Sequence, residues 1–432
     1  MRFLAHGAGS RPGNERRVVV TGLGVITPLG TDAHNVFARV YRGESAVQPI
    51  RRIDVSGLAL RHAAEVSELD PSPLGLSERE RKGLERVQLF ALLAAEQAVR
   101  DAGLALPRNA LRGQSEAQPA SERHGVAIGS SNSDSGPISL ALAELAAGRA
   151  RQVSPHTLNR SRPCSSAALV SIRYGLRGPV FSQNGASATG AMNLISAFDS
   201  IRSGRTDVMI AGGTDCGVTQ LELATFGQNQ TGSRSGCCRP FDRQRDGVVL
   251  GEGAALVVLE EAHHAAARGA RIYGEMLGYG LRSDAFDMAA IPAAAPGLIL
   301  SIEEALEDAR LTAADIGYVN AHATATRLND VAEAAAIRAT LVRNGPGPAV
   351  SGTKGQLGHM LAASGSMGFI LTLLASRLNQ VPPTGGLRDV DPACELNHVI
   401  GVGREQAVPC GLTLSAGMGG LNSAIVVRGE PS

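Results

Sequence analysis

One alternation of strand and helix patterns runs through this chain twice, and that repetition leaves few architectures open to it. Val18-Val19-Val20-Thr21-Gly22-Leu23-Gly24 is a β-branched run closed by glycines, read as a buried opening strand. Ser77 to Gly103 carries the pattern of one long amphipathic helix with its charges gathered at the start. Strand patterns follow at Gly125 to Ser130, Asp207 to Gly213 and Gly251 to Glu260, then a helix from Glu261 to Gly269. The second half repeats this grammar: strand (Ile272 to Leu277), helix (Gly297 to Ala309), strand (Ile316 to Ala321), helix (Asp330 to Val342), strand (Ala349 to Gly352), apolar helix (Leu361 to Leu378). Two terminal strands, Cys410 to Ala416 and Asn422 to Val427, complete it. The alternation predicts an α/β architecture with parallel sheets covered on both faces. Similar rhythm on either side of residue 265 suggests duplicated halves, 17–264 and 265–432, behind a floppy extension over 1–16 that lacks the apolar segment of a signal peptide. Pro382-Pro383 and the polar stretch from Gln114 to Arg123 read as loops, not domain linkers.

Chemistry concentrates at a few turns. Gly178 to Ser187 leads into a small-residue, apolar run from Ala188 to Arg202, which reads as a buried strand, a tight turn and a helix whose N-terminus lies at Ser187. A side chain there meets unpaired backbone N–H groups and the positive end of the helix dipole. A thiol in that setting becomes a thiolate; a hydroxyl is far less acidic. Lysine usage is a second pointer: of 41 basic residues only Lys82 and Lys354 are lysines, and Lys354 sits in a Gly-rich stretch beside a histidine. Ammonium and guanidinium are not interchangeable, so a retained lysine draws attention.

Four segments occur together: Ser187 after Gly178-Pro179; Asn320-Ala321-His322-Ala323-Thr324-Ala325-Thr326; Gly352-Thr353-Lys354-Gly355-Gln356-Leu357-Gly358-His359; and Gly417-Met418-Gly419-Gly420-Leu421-Asn422. Their order and spacing resemble the β-ketoacyl-ACP synthases of the elongating type. Val20 to Gly30, and Arg239 to Gly247 before Gly251-Glu252-Gly253, agree with this, so the resemblance spans roughly residues 17 to 428. It implies a thiolase fold, with duplicated βαβαβ halves in a five-layered αβαβα arrangement. It also implies that His322 and His359 donate hydrogen bonds to a thioester oxygen, and that Lys354 and Glu333 form a charged pair holding the site's hydrogen-bond network. Thr324 and Thr326 would touch a pantetheine arm, while Met418 and Gly419 would lie in a gating turn beside the substrate. Cys164, in Pro163-Cys164-Ser165-Ser166-Ala167, copies a nucleophile motif but precedes the Gly-Pro turn; it reads as a helix residue facing the core or a subunit contact.

The departures are as informative. Such synthases carry cysteine where this chain has Ser187; a glycine is replaced by Ala323, a gating phenylalanine by Met418 and another phenylalanine by Val248. The last three reshape the pocket; the first changes the reaction. Decarboxylation of malonyl-ACP needs donors at the developing enolate oxygen but no nucleophile. Ser187 has no adjacent base in sequence, which makes it a poor nucleophile at neutral pH. This combination resembles the cysteine-to-serine decarboxylating ketosynthases of polyketide β-branching cassettes, which yield acetyl-ACP. Two alternatives stay open: a non-catalytic partner subunit of the chain-length-factor kind, and an acyltransferase or synthase in which Ser187 is acylated, with His322 as activating base.

Composition bounds the partners. Net charge is +1 and no apolar run approaches twenty residues, so neither nucleic acid nor a membrane is expected. Acyl carrier proteins are acidic, and Arg79 and Lys82, with Arg81, resemble a carrier-docking patch. No dinucleotide fingerprint or metal-ligand spacing occurs, so no bound cofactor is expected; the substrate brings its own phosphopantetheine. The six cysteines lack CxxC pairing and read as reduced residues of a cytoplasmic protein. A homodimer is expected by analogy, with a heterodimer as the alternative.

Overall fold

The computed structural model describes residues 16–67, 69–111, 121–132, 135–342 and 345–431. The expected N-terminal extension, except Arg16, and most of the loop after Gln114 lie outside them. Ten strands form one large sheet: β1 (Val18–Ile26), β2 (His124–Gly129), β3 (Val180–Phe181), β4 (Val208–Cys216), β5 (Glu252–Glu261), β6 (Gly274–Ser283), β7 (Ile316–Asn320), β8 (Ala349–Ser351), β9 (Cys410–Gly417) and β10 (Leu421–Gly429). The strand order is 8-7-9-10-6-1-5-4-2-3. Counted outward from the centre, one side reads 1-5-4-2-3 and the other 6-10-9-7-8, the same path with five added to every number. The duplication suggested by rhythm is thus present in topology.

Strand direction departs from expectation. Only the outer three strands of each half, 4-2-3 and 9-7-8, pair in parallel. The three interfaces from β10 through β6 and β1 to β5 are antiparallel, as are β5 with β4 and β9 with β10. The central strands are buried on both faces regardless of direction, with β1, β4 and β5 buried at every residue. Their continuous apolar runs therefore resembled those of parallel strands. The halves are stitched together by a short ladder in which Val18 faces Met276 and Val20 faces Gly274.

Seven helices matter here: α1 (Arg86–Asp101), α2 (Gly136–Ala146), α3 (Ser165–Tyr174), α4 (Thr189–Arg202), α5 (Pro296–Ala309), α6 (Arg327–Leu341) and α7 (Ala362–Leu378). α1 and α3 pack together on the outer face of the first half, and α5 and α6 on that of the second. α4 and α7 pack against each other between the two. α7 packs on β9 and β10 of one half and on β4 and β5 of the other, so the two halves of the continuous sheet lie on either side of the inner helices and, with the outer helices, make five layers. α7 is buried at 14 of its 17 positions, which is why its sequence is apolar all round instead of amphipathic.

Two local readings are corrected. Ser77 to Gly103 is not one helix. A single turn, Glu78–Arg81, capped by Ser77 and Glu80, is separated from α1, which has its own capping box from Glu85 and Gln88. Two competing start signals and Gly83 between them interrupt the helix. The stretch before Ser187 holds only the two-residue, partly exposed edge strand β3, not a buried strand.

Candidate active site

Ser187 and His359 come from matching places in the two halves. Ser187 lies between β3 and α4; His359 lies between β8 and α7. The two inner helices cross closely near their N-termini. A Cβ on Gly190 would sit 2.4 Å from the Ala362 carbonyl oxygen, and one on Gly365 would sit 2.9 Å from the Ala191 nitrogen. Glycine at both positions lets the helix starts approach, carrying the two turns together. Ser187 Oγ lies 2.8 Å from His359 Nε2. The structure thus supplies the imidazole that Ser187 lacks in sequence, and it is His359, not His322, that touches the hydroxyl. α4 begins at Thr189, with Ala188 as its cap, so Ser187 stands just ahead of the helix.

The His359 main chain is stapled to the 249–251 segment: its N–H donates to the Val249 carbonyl (2.7 Å), and its carbonyl accepts from Gly251 (2.8 Å). The ring's other nitrogen, Nδ1, lies 2.9 Å from Ser364 Oγ, in the first turn of α7. His322 follows β7, as expected of a residue at a strand's carboxyl end. Its ring centroid is 5.7 Å from that of His359, with the planes at 86°. Both rings are buried, at 4% and 3% exposure.

Glu333 and Lys354 serve His322 from two sides without forming the direct ion pair expected of them. The Glu333 carboxylate accepts the main-chain N–H groups of His322 (2.6 Å) and Ala323 (2.8 Å). Lys354 Nζ donates to the His322 carbonyl oxygen and lies 3.5 Å from Nδ1 of the same ring. As an ammonium, lysine can only donate, so this contact leaves the proton of a neutral His322 on Nε2. Burial, then the Lys354 charge, then His359 hold His322 well below the ordinary histidine value. Burial followed by Lys354 does the same for His359. Burial raises Glu333 and lowers Lys354. Both buried imidazoles are thereby favoured in the neutral form.

Backbone strain gathers here too. Ala186, Ala323, Ala325 and Leu361 adopt φ of +50°, +48°, +63° and +47°, the left-handed region that disfavours a side chain. They adjoin or closely flank Ser187, His322 and His359. The Ala323 value explains physically why glycine suits that place. Asp215, at the end of β4, was missed by sequence reasoning. Fully buried, it accepts from Ser130 Oγ (2.8 Å), Ser131 N (3.0 Å), Ser131 Oγ and Ala362 N (3.1 Å), and so anchors the start of α7 beside the strained Leu361. The signal available was an acidic residue ending an apolar strand; Ser364 gave none.

The remaining residues fall at varying distance from this centre. Thr324 and Thr326 face each other, with hydroxyls 2.9 Å apart, one buried and one partly exposed. The turn carrying Met418 and Gly419 meets the Ser187 loop, since a Cβ on Gly417 would lie 2.2 Å from the Gly185 carbonyl oxygen. Met418 itself is 52% exposed, and Gly419 has φ +86°. Val248 is buried in an apolar cluster with Leu361, Leu250 and Phe226, behind the His359 turn. Arg79 and Lys82 are exposed, and Lys82 pairs with Glu78 at 2.6 Å. Cys164 is exposed at the cap of α3 instead of facing the core.

Comparison with known proteins places the sequence and the fold in a family. Residues 15–265 match the family described as beta-ketoacyl synthase, N-terminal domain, and residues 273–388 match its C-terminal domain. A 3-oxoacyl-[acyl-carrier-protein] synthase 2 of Coxiella burnetii is 36% identical, over 96% of this chain and 98% of the relative. Nodulation protein E of Rhizobium sp. (strain N33) is 35% identical over 96% and 99%. Among solved structures, the ishigamide ketosynthase/chain length factor superposes with a TM-score of 0.87 at 31% identity, covering 96% of this chain and 99% of that one. A type II polyketide synthase ketosynthase in complex with its acyl-carrier protein gives 0.85 at 28% identity, covering 96% and 99%. Family match, identity along nearly the whole length and shared thiolase fold agree: the chain belongs to the β-ketoacyl synthase family.

Proposed function

We propose that the protein decarboxylates malonyl-ACP to acetyl-ACP, without forming a carbon–carbon bond. The observation that carries this reading is the pair of buried, neutral imidazoles beside a serine. Their 5.7 Å centroid separation and perpendicular planes suit two N–H donors sharing one oxygen. The malonyl thioester loses CO2; the electron pair of the broken bond passes into an enolate whose oxygen accepts from His322 and His359. Uptake of one proton at carbon then gives acetyl-ACP. Desolvation of the carboxylate favours its loss, and donors fixed in place need no reorganisation. Lys354 and Glu333 hold His322, and Thr324 and Thr326 offer hydroxyls to the pantetheine arm.

Incubating the protein with malonyl-ACP tests this directly. Release of CO2 with a matching loss of carrier mass is expected; no release above background would end the reading. A second reading is favoured by the 2.8 Å contact between Ser187 and His359. With His359 as base, Ser187 would be acylated, and intact-protein mass spectrometry after incubation with acyl-ACP would show the adduct. A clean spectrum alongside CO2 release decides for decarboxylation.

The partner in this proposal is an acyl carrier protein docked near Arg79, Arg81 and Lys82. The exposed pairing of Lys82 with Glu78 contributes little, leaving the two arginines to meet an acidic surface. Self-association as a homodimer is supported by the edge strand β3, where Val180 is 44% exposed, and by α2, which exposes Leu140, Leu142 and Leu145.

A further inference from the structure

His359 is contacted at both ring nitrogens, and each contact is a serine hydroxyl: Ser187 Oγ at Nε2 (2.8 Å) and Ser364 Oγ at Nδ1 (2.9 Å). A hydroxyl can donate or accept. The direction at Nδ1 decides what Nε2 can do, because a neutral imidazole carries one proton. If Ser364 accepts, Nε2 is a bare lone pair able to take the proton of Ser187. If Ser364 donates, Nε2 carries the hydrogen and can serve a substrate oxygen.

The surroundings decide this direction. Several serines and threonines deeper inside helices of this protein, one of them in α7 itself, return their hydroxyl to the carbonyl four residues earlier: Ser196 to Met192, Ser301 to Gly297, Thr340 to Ala336 and Thr372 to Gly368. Ser364 stands in the first turn of α7, where the residue four earlier, Met360, precedes the helix. Among the described residues, the hydrogen-bond partner its hydroxyl reaches is His359 Nδ1. Ser364 also lines a small cavity with Asn320, Thr353 and Lys354. A hydroxyl has one hydrogen to give, and Nδ1 is the hydrogen-bond partner within its reach, which leaves the Ser364 oxygen facing that cavity. The short, strained link through Leu361, held by Asp215 at Ala362, places Ser364 back over the ring five residues before it.

We infer that Ser364 is a positioning residue: it donates to Nδ1, holds His359 in the Nε2–H form, and so makes this ring an oxyanion donor instead of a base for Ser187. The consequence rests on the decarboxylation reading; the tautomer itself does not. Lys354 does for His322 what Ser364 does for His359, so each imidazole is aimed by a donor behind it.

The test uses the full-length protein labelled with 15N in histidine, at a pH near 8, with the His359 signals assigned by difference against His359→Asn. The wild type should show its ring proton on Nε2. Ser364→Ala, a substitution that suits a helix, should lose that preference and slow CO2 release from malonyl-ACP by roughly tenfold or more in kcat with KM unchanged. Ser364→Thr keeps the hydroxyl and should restore both. A proton on Nδ1 in the wild type would overturn the inference, as would an alanine variant matching the wild type in tautomer and rate. If the wild type releases no CO2, the functional reading fails, while the nitrogen spectrum still decides the role of Ser364.

Discussion

The two halves share one strand path but equip the same turn differently. In the first half, the residues between β3 and α4 deliver one hydroxyl, Ser187, partly open to solvent. In the second, a longer connection between β8 and α7 makes an extra helical turn, Lys354–Leu357, and delivers both Lys354 and His359, buried. The strand ends before them differ as well. β7 leads to His322, held by Glu333, whereas β2 leads to Ser130 and Ser131, which serve Asp215. Duplication supplied the frame; the second copy carries the two buried imidazoles with Lys354 and Glu333, and the first supplies the hydroxyl of Ser187. On the proposed reading, a serine there removes one copy's contribution to covalent chemistry without touching the other's.

The sharpest way to break that contrast is to delete from each half in turn. His322→Ala and His359→Ala should each slow CO2 release by roughly 100-fold, as loss of an oxyanion donor does. Ser187→Ala should leave the rate close to the parent's. Equal losses on both sides, measured as initial rates with malonyl-ACP, would mean that the first half takes part in the chemistry after all.

Next in size is the crossing that joins the halves. Gly190→Ala places a methyl against the Ala362 carbonyl and should cost roughly 1–3 kcal/mol of stability, with Gly365→Ala costing less. Denaturant midpoints would read both. A neutral Gly190→Ala would show that the helices can part without consequence.

Acid should then act chiefly through the second half. His322 and His359 are held neutral below the ordinary histidine value, while their unfolded counterparts titrate near 6.5. Between the two values the unfolded chain binds more protons, so stability is fully present above about pH 6.5 and falls as pH drops beneath it. The slope is at most about 1.4 kcal/mol per pH unit for each ring; half-buried His124, in the first half, and His398 add to it in the same sense. Thermal midpoints from pH 8 to 5 should flatten for His359→Asn, and an unchanged slope would show that this ring is charged in the folded protein. The smallest effect is expected from Ala323→Gly. Removing a Cβ at φ +48° should stabilise by up to about 1 kcal/mol, whereas a destabilised variant would mean the turn carries little strain.

Much of this site was legible early because its groups travel in short runs. His322 with Thr324 and Thr326, or Lys354 with His359, stay close wherever the chain goes, so a family pattern could name them. Ser364 and Asp215 were not legible. A serine in an apolar helix start and a carboxylate after glycines acquire meaning only from partners in other segments. Strand direction was hidden for a different reason: hydrophobic periodicity reports how many faces are buried, and here antiparallel strands are buried on both.

By itself, the sequence determined the elements, the two-fold rhythm and the residues of each turn, because those depend on local pattern and on which side chains must leave water. Tertiary structure alone decided that Ser187 would meet His359 across 172 positions, and that a second serine would stand behind the same ring. The reason is that such a meeting depends on how closely two helices can pass. That distance is set at Gly190 and Gly365 by the absence of a side chain, and no periodicity along the chain records it.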